Sequence, residues 1–256
     1  MEAVSFGISK LDDILSKKVG IKGLIKGYTL LVKGQTGSGQ ELFAKQFAGI
    51  PNNLSEHVLY VTTNENEKEV RAFMAKYNWN SRIDILDIKT RYYEKVLDPM
   101  FEMSQKRREG FGVADLLGLG QESQEKDRDI NFLSDVEVEA LKLKNPFRLV
   151  IDSFDFFLEH YKDDSVAKVR AIQDYVYKNN SVAMITMASG VTDANIEKRI
   201  ENIVDGVIEM DYRQIGNIYD NTMYIKKMRN YPQLKLLLKF SVTDKGITPE
   251  VVERIS

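Results

Sequence analysis

The sequence predicts an α/β fold with a mostly parallel central sheet, helices on its flanks and antiparallel strands at the carboxyl end. Two patterns carry that expectation. From Tyr28 to Thr186, short apolar runs of strand length are separated by segments with helical periodicity, the order that gives a parallel sheet. After Val207 the apolar runs follow one another across short turns, which gives antiparallel neighbours. A length of 256 residues is within reach of one α/β domain, so a single domain over 1–256 is expected.

The elements follow in chain order. Ile8 to Leu15 alternates apolar and charged residues at helical spacing and ends at Gly20, Gly23 and Gly27. Tyr28-Thr29-Leu30-Leu31-Val32 is too short for a helix and reads as a buried strand. Glu41 to Phe47 returns to helical spacing through Leu42, Phe43, Gln46 and Phe47. His57 to Thr63 is the next strand, and a charged stretch, Asn64 to Glu69, leads into a helix through Phe73 and Met74. Ile83 to Ile88, Phe147 to Ile151 and Ser181 to Thr186 are further strands, with a helix from about Val166 to Lys178 between the last two. Val207 to Met210, Thr222 to Lys226 and Leu234 to Val242 form the antiparallel extension. Residues 107–128 are rich in glycine and charge without a sustained period, and read as a flexible insertion loop.

Composition narrows the function classes. With no cysteine, a disulfide framework, a thiolate zinc site and cysteine nucleophile chemistry are all excluded. No apolar run approaches the roughly 20 residues that span a bilayer, and no signal pattern opens the chain, so a cytoplasmic protein with no membrane partner is expected. Lys and Arg number 36 against 38 Asp and Glu, so no global field attracts a nucleic-acid backbone. Only a local patch such as Lys106-Arg107-Arg108 offers one.

The residues Gly34, Gln35, Thr36, Gly37, Ser38, Gly39, Gln40, Glu41 and Leu42 lie between a predicted strand and a predicted helix. Two glycines separated by four residues in that context fit a phosphate-binding loop: glycine lets backbone N–H groups converge on an anion, and the helix adds the positive end of its dipole. A tight strand-to-helix turn with no ligand is the alternative. The template continues with lysine and then serine or threonine, whereas this chain has Gln40 and Glu41. Glutamine donates a hydrogen bond but neutralises no charge, so binding should weaken and hydrolysis should suffer more. Glu41 is a hard oxygen ligand suited to magnesium, yet its own charge is unfavourable beside phosphates without the metal. Neither Lys33 nor Lys45 is assigned as a substitute cation, because neither side chain's direction is fixed by its place in the sequence.

These segments together resemble the archaeal KaiC-like branch of the RecA superfamily of P-loop ATPases, here with a degenerate phosphate loop. ISKLDDIL and GLIKGYTLLVKGQTGSGQ resemble its entry segment and loop, and VLYVTTNENEKEV its second strand and acidic turn. RLVIDSFDFFL resembles its second nucleotide motif, and VDGVIEM, IKKMRN and KFSVTDKGITP its final strands. The resemblance implies ATP and Mg2+ as cofactors, a homo-oligomer up to a hexamer with nucleotide at subunit interfaces, and an unidentified regulatory protein partner. It implies that Glu65 polarises the attacking water and that Asp152 holds the magnesium shell, with Ser153 in support. It also implies that Lys227 and Arg229 reach a neighbouring subunit's triphosphate. On the residues alone, Glu65 with Glu67 and Glu69 also fits a solvated helix start, Asp152 with Asp155 a turn, and the basic pair an exposed strand face.

The expected function is therefore an ATP-binding regulatory protein with weak or absent hydrolysis. A pseudo-ATPase interaction or scaffold module and a recombination accessory protein resembling RadA paralogues are the alternatives, with nucleic acid the least favoured partner.

Overall fold

In the computed structural model, residues 2–50, 56–108, 131–215, 218–232 and 234–251 are described. The predicted run at Tyr28–Val32 is strand β3, Thr29–Gly34, whose six residues are all buried. Its side chains alternate across the sheet. Leu30 and Val32 join a core with Phe43 and Phe47, while Leu31 joins a second core with Val169 and Ile185. Both sides of the strand are therefore covered, which explains a continuous apolar run where a one-sided strand would alternate.

The other strands of the main sheet are β4 (His57–Thr62), β5 (Asp84–Asp87), β6 (Phe147–Asp152), β7 (Val182–Ala188), β8 (Gly206–Ile215), β9 (Ile218–Met228), β10 (Leu236–Thr243) and β11 (Gly246–Val251). They lie in the order β11-β10-β9-β8-β3-β7-β6-β4-β5. The pairs from β8 through β5 are parallel, and those from β8 to β11 antiparallel, as the sequence predicts. A small ribbon of β1 (Ala3–Val4) and β2 (Leu24–Ile25) stands beside the sheet.

Helices α1 (Ser9–Val19), α2 (Gln40–Gly49) and α3 (Glu67–Lys76) supply the first core through Leu11, Leu15, Phe43, Phe47, Val70 and Met74. Helices α4 (Ile88–Tyr92) and α5 (Asp98–Arg108), separated by the π-helical turn Tyr93–Leu97, lead away from β5. Helices α6 (Phe132–Leu141), α7 (Asp155–His160), α8 (Lys162–Lys178) and α9 (Ala194–Ile203) face the second core. Each fully buried Leu or Phe adds about 1.5–3 kcal/mol.

Several boundaries differ from the sequence reading. Ile88 opens α4 instead of closing β5, because Asp87 caps that helix by accepting from the Thr90 N–H at 2.8 Å. Helix α9 lies outside the predicted set, although Asp193 caps it and Ile200 and Ile203 bury its apolar face. Residues 107 and 108 of the predicted insertion loop end α5; the rest of that loop, from residue 109, lies outside the described residues.

Candidate nucleotide site

Parallel register brings the carboxyl ends of four strands level. Gly34 of β3 pairs with Ala188 of β7, Ile151 of β6 with Ile185 of β7, and Thr62 of β4 with Asp152 of β6. Ligands of open α/β sheets bind at that end of the strands. The loop after β3, Glu65 after β4 and Asp152 at the tip of β6 therefore share one rim.

The loop closes on itself. The Ser38 N–H donates to the Gln35 carbonyl at 2.9 Å, and Gly37 and Gly39 take φ of +83° and +96°. Gln35, Thr36 and Gly37 are exposed, whereas Ser38 and Gln40 are buried. Gln40 turns back into the loop: its Oε1 accepts from Ser38 Oγ at 2.7 Å, and its Nε2 makes a long 3.5 Å contact to the Gly34 carbonyl. Gly39 precedes α2 and no side chain caps that helix, so the first turn presents its N–H groups towards the loop. Leu42, one residue beyond Glu41, packs against the first core.

Three carboxylates stand around this loop. Asp152 is buried, and its two oxygens accept from Thr186 Oγ1 (2.6 Å) and from the Tyr60 hydroxyl. Burial pushes its carboxyl above the ordinary range, against the hydrogen bonds from Thr186 and Tyr60 and the nearby Lys45. Loss of water around Glu41, with repulsion from Asp152, pushes Glu41 the same way. Burial and the Asp152 charge push Tyr60 far upward, so it remains a donor. The Asp152–Ser153 peptide is cis, and Thr63 ties its far side, with Oγ1 accepting from Ser153 N at 2.9 Å and donating to Ser153 O at 3.0 Å.

Glu65 separates from its acidic neighbours. Glu69 completes a capping box with Asn66, and Glu67 pairs with Arg71 along α3, so those two serve the helix. Glu65 instead turns inward and forms an ion pair with Lys45 of α2. Lys45 is buried, with 3% of its side chain exposed, and its Nζ lies 4.7 Å from the centroid of the Phe73 ring. Lys33 points to the opposite side of the sheet, where Glu197, Glu201 and Glu209 surround it at 3.4, 2.6 and 3.4 Å.

Lys227 and Arg229 are not on this rim. Lys227 of β9 pairs with Val207, near the amino end of β8. Its Nζ donates to the carbonyls of Glu201, Asn202 and Val204 at 2.7, 3.1 and 2.6 Å, closing the end of α9. Arg229 pairs with Asp205 at 2.6 Å. Lys227 thus lies level with Leu31 in the middle of β3, and Arg229 lies beside Asp205 at the amino end of that strand, so neither reaches the Gly34 end where its own subunit's loop begins.

A family model described as "ATPase: KaiC" matches residues 4–252. The chain belongs to the KaiC family of ATPases. Among relatives, a UPF0273 protein of Aeropyrum pernix is 26% identical over 273 residues, covering 100% of this chain and 97% of its own. UPF0273 proteins of Pyrococcus furiosus and Thermotoga maritima are 24% and 23% identical, with 95% and 96% of this chain covered and 92% and 95% of theirs. The crystal structure of a KaiC-like protein from Pyrococcus horikoshii shares the fold at a TM-score of 0.64 and 22% identity, covering 97% of this chain and 99% of that one.

The residues of this KaiC-family chain suit a nucleotide phosphate: a glycine loop and an uncapped helix start after β3, and a buried aspartate at the tip of β6 on the other side of β7. Among the described residues, no group of three His, Cys, Asp or Glu side chains is arranged to hold a metal alone. Glu41 and Asp152 are hard oxygen donors of the kind magnesium takes in small number while keeping several waters. Burial is the main cause of the upward shifts at Glu41 and Asp152, and repulsion from a neighbouring carboxylate, Asp152 on Glu41 and Glu65 on Asp152, adds to each; a cation would oppose both effects. No helix among the described residues is long and apolar enough to cross a membrane.

Sequence reasoning gave no place on this rim to Tyr60 or Thr186, and it weighed Lys45 but left it unassigned. The first two are single polar groups inside apolar strands, with nothing in their spacing to mark them. Lys45 did leave a signal, being a charge within the run Phe43, Ala44, Phe47 and Ala48, all buried.

Proposed function

We propose that this chain is an ATP-binding regulatory member of the KaiC family with weak or absent hydrolysis. The observation that carries the reading is the uncapped, glycine-opened start of α2, with Gln40 folded into the loop where the template has a cation. Gly34 to Leu42 hold the phosphates through main-chain donors. Glu41 and Asp152 would hold a magnesium ion and its waters, and that ion would supply neutralising charge to the phosphates. Glu65 would be the carboxylate that orients the attacking water. Lys227 and Arg229 act in trans within a cytoplasmic homo-oligomer, since neither reaches its own subunit's loop.

Titration calorimetry with ATP, with and without magnesium, followed by phosphate release, tests the reading. Metal-dependent binding with little turnover is expected; no heat at millimolar ATP with magnesium would refute it. Gln40→Lys should raise turnover if the remaining machinery is complete.

A second reading, a pseudo-ATPase scaffold, is favoured by one observation: Glu65 is already engaged by Lys45. Gln40→Lys that binds ATP but releases no phosphate would support it.

A further inference from the structure

The cation missing from position 40 has a counterpart five residues on. Lys45 lies on the α2 side that faces α3, with its stem between packed helices and its ammonium in contact with Glu65. Its charge is also felt by Glu41, one turn earlier on the same helix, and by Asp152 at the tip of β6. One ammonium thus contacts Glu65 directly and acts at longer range on two further carboxylates at the rim. Lys33, the other lysine near the loop, is fully engaged on the far side of the sheet by Glu197, Glu201 and Glu209.

A buried ammonium needs a partner, because its desolvation is costly unless a charge or hydrogen bond compensates. Glu65 fills that need in the nucleotide-free chain, and 30% of its own side chain remains exposed, so it can leave towards water at little cost. A terminal phosphate entering the rim would offer Lys45 a stronger acceptor, with more charge and three oxygens.

We propose that Lys45 is the displaced phosphate-binding cation of this site, resting on Glu65 until a terminal phosphate takes its place. One exchange of partners then does two things. It supplies the positive charge that Gln40 lacks, and it releases the Glu65 carboxylate to face the water that a triphosphate brings with it. The inference rests on nucleotide binding at this site and adds which side chain recognises the terminal phosphate.

Calorimetry of ATP and of ADP, both with magnesium, separates the possibilities. Lys45→Met should weaken ATP binding by about 10- to 100-fold, the span of one charge-assisted hydrogen bond, and ADP binding by less than about 3-fold. Lys45→Arg, which keeps the charge, should retain most of the preference for ATP. Glu65→Gln removes the competing anion and should tighten ATP by about 5- to 10-fold, an effect that vanishes in the Lys45→Met background. A purely structural Lys45 would lower Tm and leave the ATP-to-ADP ratio unchanged, and that result overturns the proposal. So does a Glu65→Gln chain that binds ATP no tighter than the parent, an arm that stands even if Lys45→Met fails to fold. Parent protein that binds neither nucleotide defeats the site assignment itself, and the proposal with it; parent protein that binds both, with an unchanged ratio in the variants, defeats the proposal alone.

Discussion

Gly34 and Gly37 belong to one loop, yet a methyl group is costly at each for a different reason. A Cβ on Gly34 would lie 2.2 Å from Ser38 Oγ and 2.5 Å from the Met210 carbonyl, and the latter is backbone of a paired strand that cannot step aside. On Gly37 the space is open, but φ is +83°. Gly34→Ala should therefore cost about 1–3 kcal/mol through overpacking and deform the loop. Gly37→Ala should cost about 1–2 kcal/mol through backbone strain and leave the loop's packing intact. Chemical denaturation of both variants checks the order. Asp152 gives a prediction of opposite sign. Burial raises its carboxyl, so between the ordinary carboxylate value and the raised one the folded chain holds a proton that the unfolded chain has released. Stability therefore grows as pH falls through the raised value, and the cost is fully present above it. Above that pH, Asp152→Asn should raise Tm by about 2–4 °C, the shift that 1 kcal/mol gives in a chain of this size, with the gain fading in acid. Calorimetric scans across that pH range decide it. At this scale the sequence was informative where a residue broke its local pattern: glycines clustered after an apolar run, an aspartate closing another. It was silent on Tyr60, which looks like any aromatic core residue until the fold sets it against Asp152.

Among the elements, α2 shows how site and scaffold are joined. Its first turn makes the loop's far wall, and its last turn is held by Arg148 of β6. That guanidinium is wholly buried, stacks 4.1 Å from the Phe47 ring, donates to the Phe47 carbonyl and pairs with Glu56 at 3.2 Å. Burial lowers its affinity for its proton, an effect that Glu56 offsets only in part. Arg148→Met should cost about 3–5 kcal/mol, because it removes one half of a buried pair and leaves the Glu56 charge behind. Urea unfolding measures the loss, and a drop under 1 kcal/mol would contradict the account. The strands were legible because two covered faces produce unbroken apolar runs. The helices after Ile88 were less so. Helix α4 and the π-helical turn bury only Ile88 between them, and α5 begins with Asp98-Pro99, so little periodicity survives to be read. Helix α9 carries a clear apolar stripe, but it is ten residues long and lies between two strong strand signals.

Across the whole molecule, distant segments meet at single side chains. Gln46 of α2 donates to the Gly7 carbonyl at 2.9 Å and accepts from the Ile247 N–H at 2.8 Å, linking the start of the chain, the helix behind the loop and the last strand. Tyr231 acts similarly on the β1–β2 ribbon, donating to the Gly23 carbonyl and accepting from the Ile25 N–H. Gln46→Ala would leave two buried main-chain groups without partners, a cost of about 2–6 kcal/mol at roughly 1–3 each. Thermal unfolding checks it, and a change under about 2 °C would show that neither bond matters. No such closure was visible from sequence, since a glutamine in a helix gives no hint of partners 39 and 201 residues away. The order of strands was legible only as parallel first and antiparallel last; which strand neighbours which is decided by contacts that the sequence does not display.

The β8–β9 hairpin outruns the sheet that carries it. Strand β3 stops beside Met210, and β10 reaches β9 no further than Asn221, so the rows from Arg213 and Asp220 to Ile215 and Ile218 stand on two strands alone. Two-stranded ribbons have little stability of their own, which makes this end a cantilever clamped at the Tyr212–Asn221 row, two residues beyond Met210 and the glycine that opens the loop. A load on its tip, from a neighbouring molecule or a crowded ligand, would be felt first at that clamp. The free end would bend while the root holds, so its amides should trade hydrogen for deuterium far sooner than those of Val207 to Met210.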